Sequence, residues 1–110
     1  MKVEQKGHTT TIKDTQGSIQ LFLDKVTHEH HSYKNQNLIL DVTSDKNVSL
    51  KDLKLFSDLS KTHRKQKKSF VLVVDDIDFN NVPAKLVVVP SLQEAHDIIE
   101  MEEIERDLGF

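Results

Sequence analysis

Three short apolar segments alternate with helix-like segments, and this alternation restricts the fold more than any other feature of the chain. The apolar segments are residues 38–42, 70–74 and 85–89. These segments do not alternate regularly between apolar and polar residues, as a half-exposed strand would. Such uninterrupted apolar segments are typical of strands that are covered on both faces of a sheet. Because helical segments separate most of them, we expect parallel strands, right-handed crossovers and a mixed sheet with helices packed on it.

The helix-like segments repeat an apolar residue every three or four positions, and each follows a serine that can cap a helix. Asp52 and Glu94 stand three residues after Ser49 and Ser91, which is the spacing of a capping box. The apolar faces are Ile19, Phe22, Leu23 and Val26, then Leu50, Leu53, Phe56 and Leu59, then Leu92, Ala95, Ile98 and Ile99.

Residues 2–6 and 9–13 predict a hairpin around Gly7. The predicted order is therefore β-β-α-β-α-β-β-α, an α/β fold with a mainly parallel mixed sheet. A chain of 110 residues is expected to form one domain over residues 1–110, with an acidic C-terminal helix over about 91–108.

Composition narrows the possible functions. Charged residues are 30% and hydrophobic residues 36% of the chain, as in soluble globular proteins. The net charge of −3 predicts no general affinity for nucleic acid. There is no cysteine, and residues 1–14 lack the apolar core of a signal peptide. We therefore expect a cytoplasmic protein that does not enter a membrane.

Four stretches resemble the STAS family (sulfate transporter and anti-sigma factor antagonist). MKVEQKGHTTTIKD is similar to its opening hairpin, and NLILDVTSDKNVSLKDL to its VVLDLS…DSSGL region. HRKQKKSFVLVV resembles its basic helix end and next strand, and LVVVPSLQEAHDII its last strand and helix. The resemblance covers roughly residues 1–100 and implies a STAS-like architecture and a role in regulatory protein–protein interaction.

Two departures separate the chain from that family. Leu50 and Lys51 stand where DSSGL has its two serines, so the usual phosphorylated serine is absent. DDIDFNNVPAK, residues 75–85, is too short for the helix that the family usually has between its last two strands.

A second resemblance concerns LQEAHDIIEMEEIERDLGF, which is similar to short proteins that carry the name ribonuclease Z. That enzyme needs an H-x-H-x-D-H metal-binding loop on a much longer chain. THEHHSY supplies His28, His30 and His31 without the required aspartate. Neighbouring helical positions point in different directions, so we expect no metal site here, with His28 and His31 exposed and His30 partly buried.

Acids at strand ends suggest a different function. Asp41, Asp75 and Asp76 end or follow apolar segments, where ligands of open α/β sheets gather. An alternative hypothesis is therefore a small metal- or phosphate-binding enzyme that uses these three carboxylates. No glycine-rich phosphate loop or nucleophile motif accompanies them, and we expect no cofactor.

Charge is unevenly distributed along the chain. Five basic residues and no acid lie in residues 61–68, whereas residues 91–110 hold seven acids and one arginine. A further hypothesis is an RNA-associated protein, although the basic stretch lacks interleaved aromatic residues. The basic and the acidic stretch, being opposite in charge, would also suit docking to a partner or between two copies. The basic residues are Lys61, Arg64, Lys65, Lys67 and Lys68.

The leading hypothesis is a non-enzymatic, STAS-like protein-interaction module, monomeric or weakly dimeric, with a protein partner rather than nucleic acid. It would dock through the loop and helix start at residues 43–53. The exposed candidates there are Ser44, Asp45, Asn47, Ser49 and Lys51.

Overall fold

A computed structural model describes residues 1–109, in which five strands form one sheet with helices on both faces. Phe110, the last residue of the predicted domain, lies outside the described residues. The elements are β1 (Lys2–Lys6), β2 (Thr9–Lys13), α1 (Ile19–Glu29), β3 (Asn37–Asp41), α2 (Leu50–Lys54), α3 (Ser57–Arg64), β4 (Phe70–Val73), β5 (Val87–Val89) and α4 (Leu92–Asp107), with 3-10 turns at His30–Ser32 and Phe79–Asn81.

The strands lie in the order in which they occur in the chain. β1 pairs antiparallel with β2, and β2, β3, β4 and β5 pair in parallel. The predicted α/β class and mixed sheet are confirmed. β1 is exposed along its length, whereas β3 and β4 are buried along theirs, as the uninterrupted apolar segments indicated.

The sheet separates two apolar layers. Leu38 and Leu40 of β3 face α1, α2 and α3, whereas Ile39 between them faces α4. The larger layer contains Phe22, Val26, Leu53, Phe56, Leu59, Phe70 and Leu72, and the smaller one Val71, Val73, Val89, Ala95 and Ile99. Within residues 1–109, three helices therefore cover one face and α4 alone covers the other.

The second predicted helix is divided in two. The amide of Leu55 donates to the carbonyl of Asp52, and the amide of Phe56 to that of Leu53, at 3.1 and 3.0 Å. These bonds span three residues rather than four, so the chain tightens there and α3 starts in a new direction. Leu53, Phe56 and Leu59 are still buried.

The last strand is shorter than its apolar sequence indicated. Residues 85–89 were predicted as the strand, but only Val87–Val89 pairs with β4. The amide of Leu86 donates to the carbonyl of Pro83 at 2.9 Å, which holds residues 83–86 in a turn. The connection from β4 to β5 therefore contains the 3-10 turn at Phe79–Asn81 and the turn at residues 83–86, with no α-helix between them.

The predicted apolar face of the last helix is only partly correct. Ala95 and Ile99 are buried and Ile98 is half-buried, but Leu92 is exposed in the first turn of α4. Leu92 follows the capping serine directly and is not part of the smaller apolar layer.

Candidate interaction surface

The segment 43–53 leaves the carboxyl end of β3 and continues into α2. All five predicted contact residues lie on it: Ser44, Asn47, Ser49 and Lys51 are exposed, and Asp45 is half-buried. The segment borders the edge where the parallel strands β2, β3 and β4 end. Loops at this edge carry the binding sites of many α/β proteins.

Asp41 shapes the start of the segment. Its side chain is only 3% exposed, and its Oδ1 atom accepts hydrogen bonds from the backbone amide and the hydroxyl of Thr43 at 2.9 and 2.7 Å. Such aspartate turns fix the backbone locally. This carboxylate, proposed from sequence as a possible ligand, is thus engaged in holding the loop.

The loop is also tied to the end of β2. The hydroxyl of Ser44 donates to the carbonyl of Asp14, whose own amide donates to the carbonyl of Asp41 at 2.9 Å. Asp14 accepts from the amide of Gln16 at 3.0 Å. The sequence interpretation did not include Asp14. Its position was a usable signal, because Asp14 directly follows β2 just as Asp41 is the last residue of β3.

Two further turns order the rest of the segment. Asp45 accepts from the amide of Asn47 at 2.9 Å. Ser49 accepts from the amide of Asp52 at 3.2 Å, and the Asp52 carboxylate accepts from the amide of Ser49 at 3.0 Å. The capping box predicted at Ser49 is therefore present.

The three strand-end acids have different surroundings. Asp41 is buried, Asp76 is exposed, and the exposed Asp75 forms an ion pair with Lys46 at 3.0 Å. Among residues 1–109, no three histidine, cysteine, aspartate or glutamate side chains are grouped so that they could hold a metal ion. Asp75 instead connects the end of β4 to the 43–53 loop.

The five basic residues do not lie on one helix. Lys61 and Arg64 are in α3, Lys65 is its C-cap, and Lys67 and Lys68 follow it, with Lys67 in the left-handed conformation (φ 60°). Arg64 lies 3.4 Å from Glu102 of α4 and donates to the carbonyl of Phe70 at 3.1 Å. One basic charge is therefore neutralised within the molecule.

A pair of histidines joins α1 to α3. His30 Nε2 lies 2.8 Å from His63 Nδ1, and His63 Nε2 lies 2.7 Å from the carbonyl oxygen of Gln36. Because a carbonyl only accepts, His63 carries its proton on Nε2, and Nδ1 accepts from His30. His28 and His31 are exposed and His30 is half-buried, as the sequence indicated.

Burial sets the protonation of this pair. Desolvation lowers the pKa of His63 to about 4, although its hydrogen bond to Gln36 opposes the shift. Desolvation and the neighbouring His31 also lower the pKa of His30. The sequence interpretation missed His63, but its position four residues after Leu59 and seven after Phe56 places it on the buried face of the helix.

The chain matches no known protein-family model and no curated protein sequence. The STAS resemblance therefore stays a prediction from short sequence stretches. Within residues 1–109, no helix has both the length and the apolar character that crossing a membrane requires.

Proposed function

We propose that this chain is a non-enzymatic, STAS-like interaction module of the cytoplasm that binds a protein partner through segment 43–53. The observation that supports this most is that the segment is exposed and at the same time held by its own hydrogen bonds. Asp41, Asp45 and the capping box at Ser49 each fix part of its backbone.

Such internal order favours binding. An exposed loop that is already in its bound conformation loses little conformational entropy when a partner docks. Ser44, Asp45 and Ser49 supply the internal bonds, whereas the exposed side chains of Asn47 and Lys51 lie on the outer surface. We therefore assign direct partner contact chiefly to Asn47 and Lys51, and loop shape to the other three.

The position of the segment supports the same role. It is bonded to β2 through Asp14 and to the end of β4 through the Lys46–Asp75 ion pair. The loop is therefore tied to residues that follow two strands of the sheet, Asp14 directly after β2 and Asp75 shortly after β4. A rigid support is what allows a loop to present a defined surface.

Charge reversal at Lys51 tests the proposal. A tagged chain carrying Lys51→Glu should capture its partner from native-cell lysate roughly tenfold less efficiently, because a rim charge that favoured association now opposes it. Quantitative mass spectrometry of the captured proteins is the measurement. Asp45 is a poorer choice, because its replacement would also break the turn at Asn47.

Lys25→Glu provides the matched control, since Lys25 is an exposed lysine on α1, outside the segment. It makes the same change in net charge and should leave capture unchanged. Equal capture by wild type and Lys51→Glu, with circular dichroism showing both folded, would contradict the assignment of this surface.

A further inference from the structure

A groove lies between α3 and the turn that leads into β5. It has a volume of about 940 Å³ and a mostly apolar surface. Pro83 and Ala84 form part of one wall, and α3 forms the other from Ser57 to Lys65. The groove is open because the connection from β4 to β5 contains only one 3-10 turn, so no helix packs beside α3 there.

The rim of this α3–β5 groove is basic. Lys61, Arg64 and Lys65 line it from α3, and Lys85 lines it from the opposite wall, against a single acid, Asp58. An apolar floor with a basic rim fits an amphipathic helix that carries acids beside an apolar stripe.

Helix α4 has an exposed stripe of this kind. Met101, Ile104 and Leu108 are 61%, 54% and 68% exposed, although they are large and apolar. At about 100° per residue they lie within roughly 60° of one another on the helix surface. Ala95 and Ile99 lie on the opposite side and pack on the sheet. The helix is therefore apolar on two faces, and the fold covers only one of them.

The flanks of the α4 stripe are acidic. Glu100 and Asp107 lie on one side and Glu105 on the other, and all three are exposed. Their charges are opposite to those of the groove rim, and the apolar parts of the two surfaces are unpartnered within residues 1–109.

The two surfaces also agree in length. From Met101 to Leu108 the helix rises about 10 Å, and the α3 wall from Ser57 to Lys65 is about 12 Å long. A chain cannot fill its own groove with this stripe, because Ala95 and Ile99 hold α4 on the opposite face of the sheet from Leu59 of α3.

We propose that the α4 stripe of one copy docks in the α3–β5 groove of a second copy. Each copy has one groove and one stripe, so two copies can close a two-fold pair in which both contacts form. The contact uses surfaces other than segment 43–53, so it goes beyond the proposed function and leaves that segment free in the dimer.

Sedimentation velocity over a concentration series tests the pairing. The wild-type chain should form a dimer with a micromolar dissociation constant that weakens as salt rises, because charge contributes to the contact. Ile104→Lys in the stripe should raise the dissociation constant at least about tenfold. The double change Lys61→Glu with Lys65→Glu in the groove should raise the dissociation constant by a similar factor. Arg64 is not replaced, because it also contacts Glu102.

Two controls separate docking from general surface effects. Leu21→Lys replaces an exposed leucine on α1 and should leave the dimer unchanged. A mixture of the Ile104→Lys and the Lys61→Glu/Lys65→Glu chains retains one intact stripe and one intact groove. The mixture should associate more strongly than either variant alone.

A wild-type chain that stays monomeric up to about 0.5 mM would overturn the proposal, since a contact weaker than that lies outside the micromolar range. A dimer that persists unchanged in both variants would also overturn it, as would a mixture that associates no better than its components. Partner capture by Ile104→Lys should remain normal, so failure of this proposal is distinguishable from failure of the proposed function.

Discussion

His63 is a polar side chain that lies entirely within the core. It has no exposed surface, and its two ring nitrogens bind Gln36 and His30. Protonation of Nδ1 would place a charge in the apolar layer and remove the acceptor for His30. The fold therefore requires the neutral ring.

This requirement makes stability depend on pH. Because the pKa of His63 is about 4 in the folded chain and 6.5 when unfolded, the unfolded state binds more protons between these values. The stabilisation is complete above pH 6.5 and falls as pH drops towards 4, by about 3 kcal/mol in total. An NMR titration should place the protonation midpoint of the His63 ring near pH 4. Urea unfolding at several pH values should show that the free energy of unfolding decreases between pH 6.5 and 4.

His63→Gln is the matched variant, because its amide can donate to the Gln36 carbonyl without titrating. Its unfolding free energy should depend less steeply on pH between 6.5 and 4 than that of the wild type. A His63 midpoint near 6.5 would contradict the account, because it would show that the fold does not require the neutral ring.

At the level of elements, helix α2 depends on its cap. It has only five residues, so the bonds at Ser49 are a large share of what holds its first turn. Isolated helices of this length are not stable, and the capping box joins the helix to the 43–53 loop.

Ser49→Ala should therefore lower the free energy of unfolding by about 1 kcal/mol, the usual effect of losing a serine N-cap. Ser32→Ala, at an exposed serine that ends the 3-10 turn after α1 and is not itself a cap residue, should change it by less than about 0.5 kcal/mol. Chemical denaturation of both variants measures the difference. An equal change in the free energy of unfolding for the two variants would mean that the Ser49 cap does not stabilise α2.

The sequence predicted best those elements whose signal is local. The strand at 70–74 and the hairpin at 2–13 depend on such local patterns, and each is present with at most a residue's difference at its end. At Ser91 the hydroxyl accepts from the amide of Glu94 at 3.2 Å, which is the serine half of the predicted capping box. The division of the second helix and the shortening of β5 were not predictable in the same way. They result from local turns at Leu55 and Leu86, and a leucine is not a residue type that signals a turn.

At the level of the whole molecule, the sequence located the 43–53 segment but not the contacts between distant positions. The His30–His63 pair is separated by 33 residues, and the bond from Ser44 to Asp14 by 30. The α3–β5 groove forms from two segments that no local pattern relates. Periodicity identifies which face of an element is buried, but only the packing of the elements decides which side chains meet.

The proposed interactions use two separate regions of the molecule. The 43–53 segment lies at the carboxyl edge of the strands, whereas the groove lies between α3 and β5 and the stripe on the outer side of α4. In the proposed dimer the recognition loop of each copy remains free, so partner binding and self-association can be tested separately.

Site-specific photo-crosslinking in the native cell tests the central claim most directly. A photoreactive amino acid at Asn47, on the outer surface of the segment, should form a covalent adduct with one other protein. The same group at the exposed Lys25 of α1 should not form it. Absence of an adduct at position 47, or the same adducts at both positions, would contradict the account of segment 43–53 as the partner-binding surface.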